Sequence, residues 1–361
     1  MPDRTILIAG ASGVVGRAAL EHFAVGGEAP VVFGASRRPP DTDRGVHVPL
    51  DLTDSAGTRA ALGALPPVTH LIYAALYEQP GLLAGWTDPE QMETNRRMLQ
   101  NCLDALADHP LEHVSLLQGT KAYGAHVQPM RVPGREREPR VLHPNFYWLQ
   151  EDLLRARAEP AGFAFTIWRP PVIFGHALGA PMNVLAALGV YAAVCRETDT
   201  PFGFPGGVCG PIDGVDARLL ARAFDWAMDA PTARDATFNV ANGDILHWPD
   251  LWPAIADACG VAAAAPTPRA LALWLPEQAD AWDRLRSRHA LAAPALTGFV
   301  GDSLIYADML MGHGRTTPPP CTQLSTIALR QAGFGDCMDS EDMVRDWIAR
   351  LQTARVLPPR D

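Results

Sequence analysis

The chain has 361 residues, 48% of them hydrophobic and 19% charged, which is too apolar for an unfolded coil and too long for one average domain. Its formal charge of -10 leaves no basic footprint for nucleic acid or for an anionic membrane surface. No apolar run approaches the roughly 18 residues needed to cross a bilayer, and the first residues lead straight into a strand-like run, so a soluble, cytoplasmic protein is expected.

The run 5–9 (TILIA) predicts a short buried strand, followed by GASGVVG at 10–16 and a helix-spaced segment at 17–23. Further strands are predicted at 31–35, 46–50, 70–75, 113–117 and 164–168, with helices at 55–64, 89–106 and 146–158 between them. Strands alternating with helices predict an α/β fold, a doubly wound parallel Rossmann sheet. The Pro/Arg-rich stretch 128–144 reads either as a solvated loop or as a flap beside a site. Beyond residue 175 helices are expected at 182–195, 216–228, 248–259, 277–288 and 341–352, one strand at 237–240, and a loop at 200–210. The expected division is a dinucleotide-binding domain over 1–175, with part of 211–245 returning to it. A smaller, mostly helical C-terminal substrate lobe would comprise 176–210 and 246–361. The last residues, 358–361, are expected to fray.

Gly10, Gly13 and Gly16 lie between strand and helix, where they allow a tight turn, close approach of backbone to a pyrophosphate, and close helix packing. An NAD-preferring site would carry an acid at the end of the second strand; this chain has Ser36, Arg37 and Arg38 there. Two guanidiniums suit a 2′-phosphate, so NADPH/NADP+ is the expected cofactor. Asp51, with Leu52, is suited either to the adenine amino group or to capping the helix that starts near residue 54.

The six cysteines, Cys102, Cys195, Cys209, Cys259, Cys321 and Cys337, form no C-x-x-C pair and no zinc-like pattern with histidine, so reduced packing residues and no metal are expected. Of the 30 basic residues only Lys121 is lysine. Arginine replaces lysine freely on a surface, but not where a compact ammonium on a flexible stem is required. Short-chain dehydrogenases usually carry Tyr-x-x-x-Lys, one helical turn placing the ammonium beside the phenol. Here the residue four after Tyr147 is Glu151, so the ammonium must come from elsewhere, and Lys121 follows the strand at 113–117 at the edge where such sheets bind ligands.

These residues resemble the progesterone 5β-reductase/iridoid synthase-like enone reductases, an atypical branch of the extended short-chain dehydrogenases. The likeness rests on GASGVVG (10–16), ASRRP (35–39), LDL (50–52), GTKAY (119–123), NFYWLQED (145–152), WRPPVIFG (168–175), MN (182–183), VYAAVC (190–195) and FNVANGD (238–244). The resemblance implies a Tyr147/Lys121 catalytic pair and NADPH-dependent reduction of an activated C=C bond. It implies further that Ser12, Gly13 and Val14 line the pyrophosphate, Arg37 and Arg38 the 2′-phosphate, and Asp51 and Leu52 the adenine. Ala75, Leu76, Ile173, Met182 and Tyr147 would border the rest of the cofactor. Trp148 stands where the family often has a second aromatic hydroxyl, and the segment 118–123 reads QGTKAY where the family has Thr-Gly-x-Lys-His-Tyr.

Trp86, Tyr123, Phe146, Trp148 and Phe204 are the candidate substrate-pocket residues, suited to a small, apolar enone or enal. Other readings are an extended-type carbonyl reductase or sugar-nucleotide epimerase, and a non-catalytic NADPH-sensing regulator. A homodimer is left open.

Overall fold

The computed structural model describes residues 4–25, 30–79 and 84–360. It divides into two compact units: Met1–Ile173 with Ala217–Ala241 and Thr322–Cys337, and Phe174–Asp216 with Asn242–Cys321 and Met338–Asp361. The segment 322–337, expected from sequence in the C-terminal lobe, therefore belongs to the first unit.

In the first unit seven strands, β1 (Thr5–Ala9), β2 (Val31–Ser36), β3 (Val46–Pro49), β4 (His70–Tyr73), β5 (His113–Leu117), β6 (Ala164–Arg169) and β7 (Ala236–Asn239), form one sheet in the order β7-β6-β5-β4-β1-β2-β3. Every pairing is parallel. The sequence order reverses between β1 and β4, the switch point outside which ligands bind at the carboxyl ends of the strands. Leu7 and Ala9 of β1 share a core with Leu62 of α2 (Ser55–Gly63), Leu99 and Cys102 of α3 (Pro89–Ala105) and Leu154 of α4 (Phe146–Ala161). The alternate residues Ile6 and Ile8 are fully buried on the other face, where α1 (Val14–Phe23) packs with α6 (Ala217–Asp229). Buried on both faces, the central strands β1, β4, β5 and β6 read as largely apolar runs rather than alternating ones.

The second unit is mostly helical: α5 (Val184–Glu197), α7 (Trp248–Cys259), α8 (Ala279–His289), α9 (Leu296–Leu310) and α10 (Ser340–Thr353) are its longer elements. Tyr191, Phe202, Phe204, Trp252 and Trp274 form an aromatic core, with Phe202 stacked on Trp252 at 4.5 Å between centroids. α9 escapes the sequence reading because Gly298 and Gly301 interrupt its pattern, and the backbone at Gly301 leaves the helical region. The expected fraying at 358–361 is also corrected: Pro358 is buried, Arg196 donates to the Pro359 carbonyl and Arg360 to Asp257, while Asp361 lies outside the described residues. Among the described residues no helix is long and apolar enough to cross a membrane. Cys102, Cys195, Cys209 and Cys259 are buried free thiols, and Cys321 and Cys337 are exposed.

Candidate active site

The turn after β1 is built on glycine because nothing larger fits. Gly10 has φ +88°, and a Cβ there would lie 2.7 Å from the backbone of Ala74 and Ala75; one on Gly16 would lie 2.2 Å from the Gly10 carbonyl oxygen. Gly13, the residue before α1, offers no side chain to cap the helix, and the first turn carries no acid. The helix N–H groups and dipole are thus left for an external anion, with Ser12, Gly13 and Val14 partly exposed around them.

Arg37 and Arg38 are exposed just beyond β2, and the Arg38 guanidinium reaches the Ser12 carbonyl at 3.5 Å, so it stands beside the glycine turn. Ser36 is turned inward, its hydroxyl donating to the Arg38 carbonyl at 2.7 Å, which shapes the bend that presents both arginines. Of the two roles open to Asp51, helix capping falls to Asp54, whose carboxylate accepts from the amides of Ala56 and Gly57. Asp51 instead accepts from the amide and hydroxyl of Thr53 at 2.9 and 2.7 Å. The Thr53 amide, with help from Arg37, holds its carboxyl below the usual range against the opposing effect of burial. Leu52 is buried, Ala75 is half-buried two residues beyond β4, and Leu76 is exposed next to it. The clash that forbids a side chain at Gly16, the uncapped helix and the two exposed arginines together fit an anionic dinucleotide.

Lys121 lies in a short 3-10 turn, Thr120–Tyr123, directly after β5. Tyr147 lies in the first turn of α4. The two segments are joined by Asn145, whose side-chain oxygen accepts from the Tyr147 amide at 3.1 Å while its nitrogen donates to the Lys121 carbonyl at 2.9 Å. One capping residue therefore fixes both backbones. A Cβ on Gly119 would lie 3.2 Å from the Tyr147 hydroxyl, so glycine here lets the phenol oxygen come close to the backbone leaving β5. Phe146 is buried edge-on to the Tyr147 ring, with centroids 4.5 Å apart, and restrains it. The Lys121 ammonium sits 3.6 Å from the centroid of the Trp86 ring, a cation–π contact. Burial pushes its pKa down to about 8, with Glu78 opposing that shift.

Glu151, in the position where a Tyr-x-x-x-Lys motif would have its lysine, belongs to a buried ion network. Its carboxylate takes Arg140 and Arg155 at 3.1 Å and Arg169 at 3.2 Å, and Gln118 at 3.3 Å. Burial raises its pKa, but Arg169, Arg140 and Arg155 outweigh that and keep it below the usual range. Gln118 also donates to the Tyr147 carbonyl at 3.1 Å, so the network braces α4 against the end of β5. Trp148 and Tyr123 border this network rather than the lysine: both line a cavity of about 170 Å³ with Arg140, Glu151 and Arg169. The Tyr123 hydroxyl is taken by Asn239 at 2.6 Å. Phe204 is buried edge-on to Trp252 in the aromatic core of the second unit, whereas Met182 is half-buried in the turn before α5 of that unit. Ile173 is half-buried at the end of the first unit's opening segment.

The stretch 128–144 is secured rather than loose. The Asn239 side chain donates to the Gly134 carbonyl at 3.0 Å, Gly134 donates to Gln323 at 2.8 Å, and Arg140 bridges Glu151 and Asp152. Gln118, Asn145 and Arg169 were not singled out from sequence. Asn145 carried a local signal, a capping residue before a helical run; the other two act only through contacts between distant segments.

A parallel sheet with a glycine turn at its first carboxyl end and a tyrosine–lysine pair beyond its fifth strand defines a dinucleotide-dependent enzyme of the short-chain dehydrogenase type. Residues 6–241 match the NAD dependent epimerase/dehydratase family. The chain is 31% identical to an (S)-8-oxocitronellyl enol synthase of Camptotheca acuminata, across 98% of this chain and 93% of that one. It is 33% identical to a 3-oxo-Delta(4,5)-steroid 5-beta-reductase of Arabidopsis thaliana, across 72% of this chain and 70% of that one. Among solved structures, Bordetella bronchiseptica WbmH in complex with NAD+ superposes with a TM-score of 0.66 at 16% identity, covering 97% of this chain and 98% of that one. The chain belongs to the NAD dependent epimerase/dehydratase family and, within it, to the progesterone 5β-reductase/iridoid synthase-like branch. It is an oxidoreductase that uses a nicotinamide cofactor.

Proposed function

We propose that the protein reduces the C=C bond of a small, largely apolar α,β-unsaturated carbonyl compound with NADPH. The observation that carries this reading is the Asn145 bridge, which ties the one lysine of the chain to the tyrosine of α4 although the two are 26 positions apart. When bound, the nicotinamide supplies a hydride to the β-carbon.

The protein's own task is then to stabilise the charge that appears on the carbonyl oxygen. The Tyr147 hydroxyl donates a hydrogen bond to that oxygen and strengthens it as negative charge develops, a preorganised donor of the oxyanion-hole kind. The Lys121 ammonium, held on the Trp86 ring, adds positive potential to the tyrosine and to the cofactor ribose. The α-carbon takes its proton from solvent. Arg37 and Arg38 select the phosphorylated cofactor. Glu151, surrounded by arginines, has neither the sign of charge nor the freedom to replace a lysine, which argues against hydride transfer to C=O by the usual Tyr-x-x-x-Lys plan.

Oxidation of NADPH with cyclohex-2-en-1-one, followed at the nicotinamide absorbance, tests the reading. Saturated ketone should appear as the product. An allylic alcohol, or turnover confined to sugar nucleotides, would overturn it.

A further inference from the structure

Four nitrogens of the Lys121 neighbourhood are buried without a hydrogen-bond partner among the described residues: Trp86 Nε1, His126 Nδ1 and Nε2, and His143 Nε2. Buried polar groups are ordinarily paired, and an orphan is costly, so a cluster of four requires a reason. The local fold builds it. Gly124, at φ +71°, ends the 3-10 turn that carries Lys121 and packs against Val141, with a Cβ position only 3.0 Å from the valine. That contact brings His126 edge-on to His143 at 5.0 Å between centroids, with Trp86 edge-on to His126 at 6.4 Å. The same Trp86 ring carries the Lys121 ammonium on its face.

The donor and acceptor character of these nitrogens is defined. Trp86 Nε1 only donates. His143 Nδ1 is 2.9 Å from the Val141 carbonyl, which can only accept, so in the neutral ring its Nε2 is a bare acceptor. Burial, reinforced by His143 and Lys121, pushes the His126 pKa down to about 4, so at neutral pH that ring offers one donor and one acceptor. A carbonyl oxygen would answer only the donors and an ammonium only the acceptors. An anion would face bare lone pairs, and a cation the neighbouring ammonium. A hydroxyl, whether of water or of an alcohol that displaces it, accepts and donates at once and satisfies both kinds.

We infer that Trp86, His126 and His143 form a specificity subsite for an alcohol hydroxyl, so that the preferred substrate is an otherwise apolar enone carrying one hydroxyl group. The inference rests on the enone-reductase reading and narrows its substrate class. It predicts that 4-hydroxycyclohex-2-en-1-one has a kcat/KM about tenfold or more above that of cyclohex-2-en-1-one. His126→Phe and His143→Phe should each bring this ratio close to one. A wild-type ratio near one, or a ratio that survives both substitutions, would overturn the inference.

Should neither enone oxidise NADPH, the reaction assigned above fails on its own, and calorimetric titration of the protein still decides the subsite. Tighter binding of 4-hydroxycyclohexanone than of cyclohexanone, lost in His126→Phe, supports it; equal binding contradicts it.

Discussion

The turns after β1 and β5 use glycine for the same physical purpose but for different visitors. After β1, Gly10 and Gly16 let the chain's own helix and strand backbones close in, so that α1 points its free N–H groups outward. After β5, Gly119 makes room for a side chain from another element, the hydroxyl of Tyr147. The first device is complete within seven consecutive residues, GASGVVG. The second depends on Asn145, Gln118 and the Glu151 network to bring α4 to the turn. Cofactor binding should therefore be robust to changes around α4, whereas turnover should be sensitive to them.

The largest separation between the two regions is expected from the arginines. Arg37→Ala with Arg38→Ala should weaken NADPH binding by on the order of 2 to 4 kcal/mol, two charge-assisted contacts, while leaving NADH binding nearly unchanged in a fluorescence titration. Equal affinity of the wild type for the two cofactors would break the assignment. Gly119→Ala should act in the opposite way. Its Cβ meets the Tyr147 hydroxyl at 3.2 Å, so a displacement of a few tenths of an ångström is expected to lower kcat by about tenfold with cofactor affinity retained. A smaller effect concerns pH. Burial pushes the Lys121 pKa down to about 8, and the proposed role requires the ammonium, so kcat/KM for an enone should be level below that pH and fall as pH rises through it. A rate that climbs above pH 8 would mean that the neutral amine is the active form.

The opposite edge of the sheet sharpens the contrast, because there buried titratable groups make stability depend on pH. His70 opens β4 and His113 opens β5, with ring centroids 6.4 Å apart. Thr166 donates to the Ala233 carbonyl and so accepts from His113 Nε2 at 2.9 Å, which leaves Nδ1 unprotonated. Burial, with Arg4, pushes His70 down to about 4, and burial, with His70, pushes His113 down to about 3. The unfolded chain binds these protons below about pH 6.5 and the folded one does not. Stability is thus fully present above that pH and is lost as pH falls, by roughly 1.4 kcal/mol per pH unit for each histidine until its folded pKa is reached. Chemical denaturation between pH 7 and 4 checks the slope, and His113→Gln should reduce it.

How much of this was legible in the sequence follows from range. The seven-stranded sheet and the glycine turn are written in local periodicity and spacing, and each predicted strand lies within a few residues of an observed one. Lys121 was legible through composition, since a lone lysine among arginines stands out against its background. The histidine pair was not, because His126 and His143 are separated by a Pro/Arg-rich stretch and meet only through the turn at Gly124. Trp148 and Tyr123 were assigned to the pocket for their aromatic character, and their guanidinium and amide partners are contributed by distant strands. Phe204, chosen for the same reason, packs into an aromatic core that no local pattern announces.

The central claim is that Tyr147 and Lys121 act as one unit although no single motif contains both. A double-mutant cycle of Tyr147→Phe and Lys121→Arg, read as NADPH-dependent turnover of cyclohex-2-en-1-one by folded protein, tests it most directly. Each single variant should lose about 10²-fold or more, near the value of one oxyanion-stabilising contact, and the double variant should lose little more than either alone. Losses that multiply, or normal turnover by Lys121→Arg, would contradict the pairing.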